Sequence, residues 1–329
     1  MDRQPDQQIR DALRIFSGSS HPHLAQEIAE NLGCTLCRRE TTRFSNDNLF
    51  VQLGSSVRGK EVVVIQSFCP PVSDNLLELL IMLDAARSAS AKTVHAIIPY
   101  FSYARSDKKD QPRISIVGRL VADLIGTAGA GHVMTMTLHS PQVHGFFSMP
   151  TDHLTAQQVF VQHFGDRDRS NMVILSPDIG NAKRATKLAR ALGVSVAAGD
   201  KERISDESVH YAGIIGDICG KDVIIFDDEI ATGGSIAGLM PILRDCGVRR
   251  VSLACTHGLF SGAAIERLEA IPEIDEIVTT NTVPIPPEKR LPNMTVLSVA
   301  PIFAEALRRN LLGQSVGSLF AYWPDADEG

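Results

Sequence analysis

Two stretches of this chain repeat one another. Gly59-Lys60-Glu61-Val62-Val63-Val64-Ile65 returns as Gly220-Lys221-Asp222-Val223-Ile224-Ile225-Phe226, 161 residues later in a chain of 329. Each copy runs from a Gly-Lys-acid turn into four apolar residues. A run this short, bounded by turn residues, reads as a strand buried on both faces. A loop and a helical pattern follow, and then a second strand opening on Ala91-Lys92-Thr93-Val94 or on Val248-Arg249-Arg250-Val251. A repeat at about half the chain length implies an internal duplication. The expectation is α/β: two domains of one topology, 1–150 and 151–329, each a mostly parallel sheet flanked by helices.

Further elements fit this plan. Leu13 to Phe16 reads as the first strand, and Pro22 to Leu32 as a helix that Gly33 closes. Asp74 is the expected cap of a helix through Leu76, Leu79, Leu80 and Leu83. Strands are expected at 94–99, 132–138, 172–175, 251–256, 276–282 and 296–299, and helices at 114–127, 155–164 and 301–311. Residues 1–10 and 322–329 read as loose tails. Gly54 to Glu61 nearly matches a P-loop, but Glu61 stands where Ser or Thr is required and a strand follows instead of a helix.

The acidic balance, a net charge of −6, offers no basic field for nucleic acid. No apolar run is long enough to span a bilayer, and Met1 to Arg14 is too polar for a signal peptide. The six cysteines form no framework, and Cys34-Thr35-Leu36-Cys37 is a single pair, too few for a tetrahedral zinc site. These features point to the cytoplasm.

The second copy of the repeat carries the chemistry. Asp227 and Asp228 follow the apolar run, then Thr232-Gly233-Gly234-Ser235, then a helical pattern through Ile236, Leu239, Met240 and Leu243. Glycines and the free N–H groups of a helix start make a phosphate cradle, and the acidic pair suits ribose hydroxyls or a magnesium shell. An ordinary βα loop with a capping residue reads the same way. Ser176-Pro177-Asp178-Ile179-Gly180, with Lys183 and Arg184 behind it, repeats the scheme as a second anion site. Tyr100 to Arg113 joins aromatics to cations at the end of a strand, which suits either a nucleotide or a solvated loop. His139 closes another strand, where it is either structural or a ligand. Asp200-Lys201-Glu202-Arg203 opens a polar segment to about residue 210, read as a surface loop or a mobile lid.

Taken in order, Cys69 to Leu76, Pro99 to Lys109, Leu138-His139, Ser176-Pro177-Asp178, the Asp227 stretch and Ser315 to Phe320 resemble the ribose-phosphate pyrophosphokinases, also called phosphoribosyl pyrophosphate synthetases, over roughly residues 13–320. The resemblance implies two phosphoribosyltransferase-like domains. It implies transfer of the β,γ-diphosphoryl group of ATP to the C1 hydroxyl of ribose 5-phosphate, with Mg2+. Asp227 and Asp228 would then hold the ribose hydroxyls, and Thr232, Gly233, Gly234 and Ser235 the 5-phosphate. His139 and Asp178 match the magnesium-linked pair, and Lys201 and Arg203 the cations acting on the transferring group. Phe44 and Arg105 match the residues that sandwich adenine, and Asn46, Asn48, Ser106, Asp107 and Lys108 fall in the same nucleotide-reading segments.

Several positions depart from the family pattern. Asn46-Asp47-Asn48 stands for the usual Asp-Gly-Glu, and Ser106 for Gln. Asn both donates and accepts where a carboxylate only accepts, so looser nucleotide choice is expected. Ala231 replaces an Asp, as in related transferases, and is not read as inactivating. Asn181 replaces a second Gly, with altered diphosphate contacts expected. His144 and His153 replace Gln and Asn near the region where phosphate activates and ADP inhibits the bacterial forms, which leaves allosteric control open. Family members are usually homo-hexamers. The alternatives are a phosphoribosyltransferase, a catalytically silent regulatory subunit, or a nucleic-acid-binding regulator on this fold.

Overall fold

The computed structural model describes residues 10–203 and 209–320. The chain forms two compact units. One takes the chain up to Thr155, with Thr282–Pro284 and the segment from Val299; the other takes Ala156–Asn281 and Ile285–Ser298.

The first unit runs β1 (Leu13–Ser17), α1 (Pro22–Asn31), β2 (Arg39–Arg43), β3 (Leu49–Leu53), β4 (Glu61–Ile65), α2 (Val72–Ser88), β5 (Thr93–Ile98), α3 (Val117–Ala128), β6 (His132–Met136) and β7 (Thr151–Leu154). Five strands make a wholly parallel sheet in the order β1-β4-β5-β6-β7, while β2 and β3 pair only with each other. Val62 to Ile65 are fully buried, as expected of a parallel strand covered on both faces. Helix α2 buries Leu79, Met82, Leu83 and Ala86, one stripe at helical spacing. Its N-cap is Pro71; the expected cap, Asp74, lies in the first turn, where it meets Arg43 at 3.0 Å.

The second unit runs α4 (Gln157–Gly165), β8 (Met172–Ser176), α5 (Ala182–Leu192), β9 (Ser195–Arg203), β10 (Val209–Ile215), β11 (Asp222–Ile230), α6 (Gly234–Asp245), β12 (Arg250–Gly258), α7 (Ala264–Glu269), β13 (Ile274–Thr280) and β14 (Met294–Leu297). Its seven-stranded sheet has the order β10-β9-β8-β11-β12-β13-β14 and is parallel except for β9 with β10. The last helix, α8 (Ala300–Leu311), belongs to the first unit, where Arg308 donates to the Asn31 carbonyl at the end of α1 (2.9 Å). The chain therefore does not divide at one cut near residue 150: β7 lies in the first sheet, and the C-terminal helix returns to that unit.

Three local expectations change. Strand β11 does not stop at Phe226. It continues through the acidic pair because β12 goes on pairing with it, Asp227 opposite Cys255 and Glu229 opposite His257. The polar segment from Asp200 is not a plain loop. Lys201 pairs with Tyr211 and Arg203 with Val209, so sheet hydrogen bonds order both sides of residues 204–208, which lie outside the described residues. Strand β6 ends at Met136, and Thr137 takes a left-handed φ of 45°.

A buried polar chain crosses the start of the first sheet. Glu61 Oε2 and His95 Nε2 are 3.2 Å apart, His95 Nδ1 and His132 Nδ1 3.1 Å, and His132 Nε2 and Asp152 Oδ2 3.0 Å. These four residues stand on neighbouring strands β4 to β7. Among the described residues no helix is long and apolar enough to cross a membrane.

Candidate functional site

The strand order of the second sheet reverses once. From β8 the chain moves to β9 on one side, then returns to β11 on the other side of β8 and continues to β14. Open α/β sheets bind ligands outside the carboxyl ends of the strands at such a switch. The two strands that flank it are β8 and β11, in register as far as Leu175 opposite Ile225. β8 ends in Ser176-Pro177-Asp178, and β11 carries Asp227 and Asp228. Tertiary structure thus brings together two loops that lie about fifty residues apart in the chain.

Asp228 is 3% exposed and its N–H donates to Asp227 Oδ1 at 2.8 Å. Burial, the Asp228 carboxylate and then Asp178 push the Asp227 carboxyl well above its ordinary range. Arg184 Nη1 lies 3.4 Å from Asp228 Oδ1. Two crowded carboxyls of this kind favour hydroxyl donors or a cation between them and a ligand.

Next to the pair, Gly233 takes a left-handed φ of 73° as the N-cap of α6, a conformation that favours glycine. The amides at the start of α6 have no partner within the helix. The loop carbonyls are already engaged: Arg267 donates to Thr232, and the Tyr211 hydroxyl donates to Ser235 at 3.1 Å. Burial holds the Tyr211 phenol protonated far into the alkaline range. Lys201 Nζ donates to Ser235 Oγ at 2.8 Å and lies 4.0 Å from Asp178 Oδ2. Asp178 Oδ1 accepts from the Asn181 N–H at 2.8 Å. The assembled site is a helix N-terminus, an acidic pair, a single carboxylate and a lysine that faces both loops. Of Arg203 only the backbone is described, as the last residue of β9.

The first unit carries the remaining candidates. Phe44 is 51% exposed and packs on Phe50, ring centroids 5.6 Å apart, at the end of the β2–β3 hairpin. Asn46 and Asn48 form the exposed turn, and Asn46 Oδ1 accepts from the Asn48 N–H at 3.3 Å. Arg105 and Lys108 are exposed. Ser106 meets the start of α3 from eleven residues away: its hydroxyl accepts from the Val117 N–H at 3.2 Å. Asp107 accepts from Gln142. His139 is exposed, three residues beyond β6. His153 accepts from the Leu138 N–H at 2.9 Å, and His144 donates to the Thr151 carbonyl at 2.8 Å, so both brace the loop that carries His139.

The first sheet has no switch. Its order advances in one direction, and the counterpart of β9 is reduced to a single bridge, Ile15 with Leu36. Where the repeat places Asp227 and Asp228, this unit has Gln66 and Ser67, both fully buried. The space is filled from within. Glu78 of α2, 2% exposed, accepts from the Ser19 N–H and hydroxyl at 2.7 Å each and from Gln66 Nε2 at 2.7 Å, and meets Arg39 at 3.2 Å. A carboxylate of the protein itself is thus bound between Ser19, beyond the end of β1, and Gln66, beyond the end of β4. Gly18 permits this packing, since a Cβ there would stand 2.0 Å from Gln66 Oε1.

The acidic pair and the glycine loop are legible in the sequence because they form one contiguous motif, whereas Lys201 took its role from the family resemblance. Sequence reasoning gave no role to Tyr211 or Arg267, which reach the loop from 24 and 35 residues away and carry no local signal. Arg184 was legible only as a generic cation.

Comparison with known proteins adds independent findings. Residues 13–129 match the N-terminal domain of ribose phosphate pyrophosphokinase, and residues 210–321 match the phosphoribosyl synthetase-associated domain. A ribose-phosphate pyrophosphokinase of Deinococcus radiodurans is 51% identical over 316 residues, covering 94% of this chain and 98% of its own length. Another from Caldanaerobacter subterraneus is 46% identical over 310 residues, covering 94% and 98%. The crystal structure of phosphoribosylpyrophosphate synthetase from Mycobacterium smegmatis superposes with a TM-score of 0.86 at 41% identity, covering 92% of this chain and 99% of that one.

Proposed function

The chain belongs to the ribose-phosphate pyrophosphokinase family, and from that premise we propose that it transfers the β,γ-diphosphoryl group of ATP to the C1 hydroxyl of ribose 5-phosphate, giving phosphoribosyl pyrophosphate and AMP. The observation that carries this reading is the switch-point site. An acidic pair stands beside a glycine-opened helix N-terminus, and a lysine is bound to that same loop. A sugar phosphate uses both halves: hydroxyls at Asp227 and Asp228, and the 5-phosphate at the α6 amides with Thr232 and Ser235.

In the transfer, the C1 oxygen bonds to the β-phosphorus, the bond between the α,β-bridging oxygen and that phosphorus breaks, and AMP departs with its electron pair. The hydroxyl proton is released. Such a transfer depends on positioning and on cations more than on covalent chemistry. Lys201, placed between the ribose-phosphate loop and Asp178, suits the charge on the moving group, and Arg203 would join it. Phe44 and Arg105 would hold the adenine, with Asn46, Asn48, Ser106, Asp107 and Lys108 in the same segments.

Among the described residues no group of three or more His, Cys, Asp or Glu side chains is arranged to hold a metal ion. Magnesium is commonly bound through one or two carboxylates together with substrate phosphates. Asp178 would offer it a carboxylate oxygen, and the resemblance makes His139 the other candidate ligand. When bound, the ion would neutralise charge on the phosphate oxygens.

We propose a cytoplasmic homo-hexamer; light scattering at six chain masses checks the assembly. The activity is tested with purified protein, ribose 5-phosphate, magnesium and ATP, followed by phosphorus NMR. AMP formed in step with the C1 diphosphate supports the reading, and parallel tubes with GTP and CTP read the looser nucleotide choice. No AMP, with inorganic phosphate present or absent, points to a silent subunit.

A further inference from the structure

The ladder between β8 and β11 ends at Leu175 opposite Ile225, one residue before the chain reaches Phe226 and the acidic pair. Beyond that point β8 turns away into Ser176-Pro177-Asp178, and the side of β11 that faced it loses its strand partner. Asn181, the N-cap of α5 and only 6% exposed, fills the gap. Its Nδ2 donates to the Phe226 carbonyl at 3.0 Å, taking the place of the missing rung. Its backbone N–H donates to Asp178 Oδ1 at 2.8 Å. Its Oδ1 accepts from Arg184 Nη1 at 3.3 Å, and the same nitrogen lies 3.4 Å from Asp228 Oδ1. One buried amide therefore touches the carboxylate loop, the backbone immediately before Asp227 and the guanidinium beside Asp228.

We propose that Asn181 is a positioning residue for ribose 5-phosphate: its side-chain amide, bonded to the Phe226 carbonyl and to Arg184, holds the Asp227–Asp228 end of β11 at a fixed offset from the Asp178 loop. The proposal rests on the reading of the acidic pair as the ribose-hydroxyl site. The physics is that of sheet register. A strand end paired on one side only, here with β12, is held less firmly than one paired on both, and a shift of part of an ångström spoils a pair of carboxylate-to-hydroxyl bonds. Only the side chain is at stake, since the N–H that serves Asp178 is a backbone group and survives any substitution other than proline. The expected defect is therefore confined to the sugar.

Asn181→Leu keeps the shape of the side chain and removes both of its bonds. The expected result is a KM for ribose 5-phosphate raised about tenfold, the factor carried by one bond lost between the sugar and the displaced acidic pair, with the KM for ATP unchanged within about twofold. Asn181→Gly, which adds no methyl group to a polar pocket, gives the same readout should the leucine variant not fold. A KM for ribose 5-phosphate that stays at the wild-type value, or KM values for both substrates that rise together, overturns the proposal. A merely structural role would lower the melting temperature without this split. If the wild-type protein makes no AMP, the synthetase reading fails by itself. Calorimetric titration with ribose 5-phosphate then decides: weaker binding by the variant than by wild type supports the positioning role, and equal binding or none in both overturns it.

Discussion

Lys201 shows how much one side chain can join. It stands on β9 in register with Tyr211, and its ammonium reaches Ser235 Oγ while facing Asp178 across 4.0 Å. A flexible cation held by a neutral hydroxyl can turn toward charge that develops nearby at little cost in desolvation. Replacing Lys201 with Ala is expected to lower kcat by about a hundredfold or more, the scale seen when one transition-state donor is lost. On the proposed reading the 5-phosphate would keep the helix amides and both loop hydroxyls, so the KM for ribose 5-phosphate should change little. Steady-state kinetics in both substrates check this, and unchanged turnover removes Lys201 from the mechanism.

At the scale of elements, the chain Glu61–His95–His132–Asp152 ties four neighbouring strands together at the start of the first sheet. Both outer nitrogens face carboxylates and must donate, while the two inner nitrogens share one hydrogen bond. In the bond between the rings one Nδ1 donates and the other accepts. Burial first, and then the neighbouring His132, lower the pKa of His95, while Glu61 opposes this. Lys92, which meets Glu61 at 2.9 Å, adds to the lowering. In the folded chain His95 thus resists protonation, whereas in the unfolded chain it protonates near its ordinary value of about 6.5. Its contribution to stability is complete above about pH 6.5 and is lost as the pH falls through the lowered folded value. Urea midpoints measured from neutral to mildly acidic pH should fall in wild type and fall less steeply in His95→Gln. Parallel slopes would show that His95 does not set this dependence.

The whole molecule is a duplication whose two sheets differ in strand number and order. Both sheets contain the same buried strands, but only the second adds β9 and β10 to its far edge and so acquires a switch point. In the first, Ser19, Gln66 and Arg39 bind the Glu78 carboxylate beyond the ends of β1 and β4. Burial raises its carboxyl, but the Ser19 backbone and hydroxyl bonds, with Arg39 and Gln66, bring it below its ordinary value. The stability it confers is present above about pH 4.5 and fails as the pH drops through the lowered folded value. Glu78→Ala leaves the Ser19 donors and Arg39 without their buried partner, and a loss of about 3 kcal/mol is expected. Thermal unfolding checks it, and added inorganic phosphate should restore the variant by more than it stabilises wild type if the vacated place still favours an anion. An equal response would show that the cradle does not bind one.

The sequence by itself determined the repeated Val and Ile strands, the parallel sheets they make, and the motif in which Asp227, Asp228 and Thr232 to Ser235 follow one another. These depend on residues within a few positions of one another: an apolar run too short for a helix, a glycine that accepts a left-handed φ, a helix start with open amides. Tertiary structure alone decided which distant groups meet that motif. That choice turns on which edge accepts another strand. It turns also on contacts such as Asn181 to Phe226, Lys201 to Ser235 and Arg267 to Thr232, whose partners lie 34 to 45 residues apart. Spacing along a chain fixes the face a side chain occupies within its own element. The partner across a sheet is chosen by packing and hydrogen bonding with distant elements, for which no local pattern exists.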